Sequence, residues 1–250
     1  MKINIFWFRR DLRLNDNVGL HHALNSNLPV LPIFIFDKKI LNELPEDDAR
    51  LGFIYDNLRE MSQNLEKLGS SLNCLHGNPE EIWEQLTTEH EIDTVYTNRD
   101  YEPYALDRDH KVKFYLEEKG IKFETYKDQV IFEKSEVTKD DGKPYTIYTP
   151  FKNKWLSLFK KEEMIKEYQL NTENFIKKNH PFPTLSSLGF EESSIKVEPI
   201  NLNELADYET TRDFPATDGT SYLGPHLRFG TVSVRSIIRD LKPRDTVFLS

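Results

Sequence analysis

Cysteine is almost missing from this sequence: Cys74 stands alone among 250 residues. No intramolecular disulfide is possible, and the composition suits a reducing compartment. No run approaches the ~18 consecutive apolar residues of a membrane span. The opening MKINIFWFRRDLRL has neither the length nor the small-residue cleavage site of a signal peptide. A cytoplasmic protein without a membrane anchor is therefore expected. The glycine-rich fingerprint of dinucleotide-binding folds does not follow the first strand-like segment, which reads FRRDLRLNDN, and there is no P-loop. The seven histidines lack paired ligand spacing except for His21-His22, which cannot both face one site from a helix, so no metal site is expected. Cys74 lies in an apolar strand and reads as a core thiol.

Hydrophobic residues make up 38% of the chain, with 16 Phe and 11 Tyr, enough to form a core and to argue against disorder. The length allows an α/β domain of roughly 130–180 residues with an appendage. Strand-like runs at 2–8, 28–36, 71–76, 93–98 and 121–126 alternate with helical patterns. The clearest of these places Leu51, Ile54, Tyr55, Leu58, Met61, Leu65 and Leu68 at helical spacing after Asp47-Asp48, with Gly69 as its stop. Near-continuous apolar strands between helices predict a doubly wound, parallel five-stranded α/β sheet over residues 1–130.

The alternation then ceases. Residues 131–167 read as an irregular segment and a helix completing the domain, with Thr149 as N-cap, Pro150 at the first position and Phe151, Trp155, Leu158 and Phe159 as its buried stripe. Residues 168–200 read as an extended connector, and a helical pattern with Leu202, Leu205 and Tyr208 begins near Asn201.

Ligands of open parallel sheets bind outside the C-terminal ends of the strands. Here those ends are Arg9-Arg10-Asp11, Phe36-Asp37 and Asn98 to Glu102. Arg9, Arg10, Asp11 and Arg13 can hold an anion or form a structural ion-pair cluster. Asn15 to Asn17 suit a helix cap. NRDYEPYALDRD at 98–109 offers rings and carboxylates to a planar ligand, although Tyr101-Glu102-Pro103 also suits a plain helix start. DGTSYLGPHLRFG at 218–230 combines a turn, two hydroxyls and a helix start, which can present backbone N–H groups to a phosphate. Net charge is −9, yet residues 222–250 carry Arg228, Arg235, Arg239, Lys242 and Arg244 against Asp240 and Asp245. An anionic partner is expected to meet that end.

FWFRRDLRLNDN, DARLGF, NRDYEPYALDRD, PYTIYTPFKNKW and YETTRDFPATDGTSYLGPHLRFGTVSVR together resemble the DNA photolyase/cryptochrome family, most closely the members that repair cyclobutane pyrimidine dimers. The resemblance implies a Rossmann-like light-harvesting (antenna) domain, an interdomain linker at 168–200, and from 201 the first helices of an all-helical FAD domain. It implies a flavoprotein lyase acting on dimer-containing DNA, with a cryptochrome photoreceptor as the alternative.

Carried over by motif, Tyr208, Thr220, Ser221, Tyr222, Leu223 and Gly224 match FAD-contacting positions, and Arg212 matches a contact to DNA phosphate. Gly224 replaces a more frequent serine. Tyr104-Ala105 stands where folate-binding members place Asn-Glu, which favours a deazaflavin or FMN as antenna pigment. Asp37, Arg50, Asp100 and Glu102 are its candidate contacts. No catalytic residue is expected within these 250 positions. The family's helical domain continues well beyond DTVFLS, so the chain alone is expected to hold FAD weakly and to be inactive, where the whole protein would be a monomer. Its apolar tail (Val232, Val234, Ile237, Ile238, Leu241, Val247, Phe248, Leu249) is expected to be poorly ordered, to pack on the α/β domain, or to self-associate.

Overall fold

The computed structural model describes residues 1–202, 205, 208–217, 219–241 and 248. Five strands, β1 (Ile3–Phe8), β2 (Val30–Asp37), β3 (Asn73–Gly77), β4 (Ile92–Asn98) and β5 (Lys122–Tyr126), form one sheet in the order β3-β2-β1-β4-β5. Every pairing is parallel. This is the expected doubly wound arrangement. The chain leaves β1 in one direction to β2 and later returns to its other side at β4, which places the topological switch between β1 and β4.

The side-chain alternation of β1 divides the interior into two layers. Phe6 and Phe8 face a core with α1 (Val18–Leu24) and α3 (Ala49–Lys67), where Leu20, Leu24, Leu58 and Leu65 are fully buried. Ile3, Ile5 and Trp7 face the other core with α4 (Pro79–Glu89) and α5 (Pro103–Glu118), through Trp83, Val112 and Leu116. Full burial of each such side chain stabilises by ~1.5–3 kcal/mol. Asn17 caps α1 as expected, accepting from Leu20 N at 3.0 Å, and Asp48 caps α3. Cys74 packs against the first core, and burial pushes its thiol pKa well above the ordinary value.

The four-residue α2 (Lys38–Leu41) follows β2 directly. Beyond β5, α6 (Tyr148–Leu158) and α7 (Lys161–Met164) differ from expectation. Ile147 occupies the N-cap of α6 without a side-chain bond, so Pro150 is its third residue. The supposed buried stripe is not buried: Phe151 and Leu158 are exposed, and Trp155 and Phe159 are half-covered, stacked on one another at 4.8 Å. The aromatic spacing is helical, but Phe132 is the main ring that meets it from elsewhere in the chain.

Residues 168–200 are extended, and they are packed along their length. Phe175 is buried beside Val30, Asn174 donates to the carbonyls of Leu24, Ser26 and Leu28, and Tyr55 OH donates to the carbonyl of Pro183 at 3.0 Å. Three short helices follow: α8 (Tyr208–Thr211), α9 (Leu223–Phe229) and α10 (Val234–Asp240). Positions 203, 204, 206, 207, 218, 242–247, 249 and 250, which include Asp218, Lys242, Arg244, Val247 and Leu249 from the sequence analysis, lie outside the described residues. Of the apolar tail, Ile237 and Ile238 are buried, and Val232, Val234, Leu241 and Phe248 are half-covered.

Gly230 ends α9 with φ +64°, where a side chain is strained. A Cβ there would stand 2.3 Å from the carbonyl oxygen of Arg10 and 2.6 Å from the Cα of Asp11. Only glycine allows the backbone to sit this close to the loop after β1. Leu12 N donates to the Phe229 carbonyl at 3.1 Å beside it.

Candidate functional site: a cavity at the strand ends

The cluster after β1 is structural and buried. Asp11 accepts from Arg9 N at 2.7 Å and from Asn98 Nδ2 at 2.6 Å; burial raises its pKa although these bonds oppose the rise. Arg9 bonds to Asp109 and to the Asn98 carbonyl. Arg13 chelates Asp128 at 2.8 and 2.7 Å, and Arg235 from α10 reaches the same carboxylate at 2.9 Å. Burial opposes ionisation of Asp128, yet Arg13 and Arg235 hold its pKa below the ordinary carboxylate value. Asp16 takes Arg235 Nε at 3.3 Å and the hydroxyl of Ser233.

These contacts engage much of the described C-terminal positive charge. Arg235 is buried against Asp16 and Asp128, Arg239 lies 3.5 Å from Asp16, and Arg228 bonds to Glu102 at 2.6 Å. The described arginines of that segment face carboxylates of this same chain, 107 to 223 positions away in sequence.

Beside this cluster, at the ends of β1, β2 and β4, lies a cavity of about 1180 Å³. Small-molecule sites commonly occupy ~300–1,000 Å³, and this cavity is large enough for such a ligand. Asp37, Arg50, Asp100 and Glu102, proposed from sequence alone, all line it. Asp37 is buried; it caps α2 through Lys39 N at 2.9 Å and accepts from the Tyr104 hydroxyl. Burial, and then the Asp37 acceptor, raise the Tyr104 pKa, so this phenol stays protonated at neutral pH. Arg50 is exposed at the mouth and tied to Asp48 at 2.6 Å. Asp100 is buried and accepts from Tyr101 N at 2.7 Å and from Arg10 at 3.2 Å. Pro103 begins α5 directly after Glu102, so the helix-start reading of this loop holds together with the cavity.

Sequence reasoning missed several walls. Trp7 lines the cavity with its ring 5.1 Å from the Arg9 guanidinium and 4.9 Å from that of Arg108, and its buried indole N–H has no partner among the described residues. A ligand acceptor is one group that could satisfy such a donor. Phe229 joins Trp7 from α9, while Tyr104 and Arg10, from the ring-bearing loop 98–109 and the end of β1, line the cavity as the strand-end reading allows.

Of the FAD-matching positions, Gly224 lines this cavity, with open space around its Cα, and Leu223 is buried. Thr220 is exposed, while Ser221 and Tyr222 are half-covered. Tyr222 has φ +55° at the start of α9. The 219–222 turn rests on α8, since a Cβ on Gly219 would lie 2.9 Å from Thr211 Oγ1. Tyr208 on α8 packs edge-on against Phe248 at 5.1 Å. Arg212, at the end of α8, is 45% exposed and 3.8 Å from Asp213, too loose a pair to hold it. Among the described residues no helix is long and apolar enough to cross a membrane.

The model of the DNA photolyase family matches residues 4–170. A deoxyribodipyrimidine photo-lyase of Synechococcus sp. is 33% identical over 94% of this chain and 52% of its own length. Among solved structures, a bacterial class III photolyase from Agrobacterium tumefaciens superposes with TM-score 0.82 at 28% identity, covering 100% of this chain and 56% of the other. An archaeal photolyase from Sulfolobus tokodaii, described with two FAD molecules and a novel light-harvesting cofactor, superposes at 0.78 and 28% identity, over 99% and 56%. The chain spans about half the length of these relatives. With a parallel sheet, a strand-end cavity and matches over nearly its whole length, this chain belongs to the DNA photolyase family.

Proposed function

We propose that these 250 residues form the light-harvesting region and the beginning of the FAD-binding region of a deoxyribodipyrimidine photo-lyase, a carbon–carbon lyase acting on DNA that contains pyrimidine dimers. The observation that carries this reading is the convergence of Asp37, Arg50, Asp100 and Glu102 on one cavity at the topological switch of the sheet. Tyr104-Ala105, where folate-binding members place Asn-Glu, favours a flavin-like pigment, FMN or a deazaflavin, over folate. The Sulfolobus relative, described with two FAD molecules and the implication of a novel light-harvesting cofactor, supports that class. Arg50 at the mouth suits an anionic tail, while Asp37, Tyr104 and Trp7 offer polar atoms to the ring edge.

FAD, when bound in the whole protein, supplies the electron that splits the dimer. Thr220 to Gly224 and Tyr208 hold its phosphate and ribose side, and Arg212 meets a DNA phosphate. The cryptochrome alternative uses the same flavin without repair.

The pigment reading is tested by adding FMN, a deazaflavin and a folate separately to the purified chain and following fluorescence anisotropy. Saturable binding of one of the first two supports it, and binding of the folate alone overturns it. Illuminating reduced, FAD-supplemented full-length protein with dimer-containing DNA separates the photo-lyase from the cryptochrome.

A further inference from the structure

Glu102 stands on the rim of the cavity, but its carboxylate is already engaged. Its Oε1 accepts from Arg10 Nη1 at 3.2 Å and from Arg228 Nη1 at 2.6 Å. Arg10 also donates to Asp100 at 3.2 Å and, through Nε, to the Arg228 carbonyl at 3.0 Å. These side chains tie the loop after β1, the loop after β4 and α9 together at the mouth, and all four line the cavity. Arg228, followed by Arg10, holds the Glu102 carboxyl below the usual carboxylate range, so the group is ionised at neutral pH. Below this mouth α9 adds Gly224, Pro225 and Phe229 to the wall. A ligand enclosed here touches both the strand ends and α9. Ligand binding must therefore favour the docked α9, and a docked α9 must favour the ligand by the same factor.

We propose that Glu102 and Arg228 form a latch over the pigment cavity, in which Glu102 acts as a positioning residue through Arg228 and does not bind the pigment itself. This rests on the pigment reading above. Glu102 and Arg228 are 47% and 52% exposed, so the latch is a surface ion pair that opens readily and weakens with salt. Such a pair suits a cavity that must admit its ligand before enclosing it.

The test uses FMN as probe and measures its dissociation rate from the 250-residue chain for wild type, Glu102→Gln, Arg228→Gln and the double variant. Each single change is expected to raise the rate about 2- to 5-fold, with the double variant no faster than either single one. Raising salt to about 0.5 M should speed release from wild type by a larger factor than from the double variant. Additive effects would show two independent pigment contacts and overturn the latch, as would unchanged rates. If wild type binds no FMN, the pigment reading fails at this ligand, and the latch is read from amide hydrogen exchange at 223–230 without ligand. Faster exchange in Glu102→Gln then supports it, and equal exchange overturns it.

Discussion

Between Ile3 and Tyr126 the two layers that cover the sheet are hydrocarbon, with Phe6, Phe8, Ile33, Leu58, Trp83 and Leu116 at 1% exposure or less. Between Leu223 and Leu241 far more of the contact with the sheet domain is ionic, through Arg228, Ser233, Arg235 and Arg239 against Glu102, Asp16 and Asp128. Apolar burial is non-directional and accumulates over many contacts. Ion pairs and close backbone approaches depend on a few atoms in fixed places. The sheet domain should therefore tolerate conservative exchange of its core side chains, whereas the docked segment should fail at single positions.

The largest expected effect is at Arg235. Arg235→Ala takes one buried guanidinium from Asp16, which keeps Ser233 and Arg239, and from Asp128, which keeps Arg13; breaking a buried pair costs up to about 3–5 kcal/mol. Hydrogen exchange should rise across 223–241 while the sheet amides keep their protection. Loss of protection throughout would mean that the two regions form one cooperative unit. Gly230→Ala comes next, adding left-handed strain to a clash with the Arg10 and Asp11 backbone, about 2–5 kcal/mol against docking. Limited proteolysis near residue 222 should accelerate, and an unchanged cleavage rate would contradict the close approach.

Acid should act on the same joint. Asp128 has a native pKa below its unfolded one, so the unfolded chain binds the proton first. Its stabilisation is complete above about pH 4–5 and is lost as pH falls through the native value. Docking of 223–241, followed by exchange, should weaken over that window in wild type and less steeply in Asp128→Asn. Arg212 is the smallest case for stability. Being exposed and loosely paired, Arg212→Ala should change stability by no more than about 0.5 kcal/mol. In the full-length protein it should weaken DNA binding and lower the salt slope by about one phosphate contact. An unchanged slope would remove it from the DNA interface.

The contrast also explains what the sequence discloses. The strands are legible because runs such as KINIFWF and LPVLPIFIF carry their burial in their own composition. The cavity is legible in part, since the switch-point rule names the loops that hold Asp37, Asp100 and Glu102. Its roof is not, because Phe229 and Arg228 arrive from more than 120 positions later in the chain. Likewise the basic excess after Tyr222 is visible, but its partners Asp16 and Asp128 are distant in sequence and carry no local mark. On α6 the pattern misleads: helical spacing of Phe151, Trp155 and Leu158 signals an apolar face, and burial depends on what packs against it.

The central claim is that the strand-end cavity is a pigment site built on Asp37 and Arg50. Calorimetric titration of FMN or a deazaflavin into wild type and into the Asp37→Ala/Arg50→Ala double variant tests it most directly. The account predicts one site per chain in wild type and an affinity lower by at least about tenfold in the variant, the equivalent of ~1.4 kcal/mol. Equal affinity in the two proteins would place the ligand elsewhere and contradict the account.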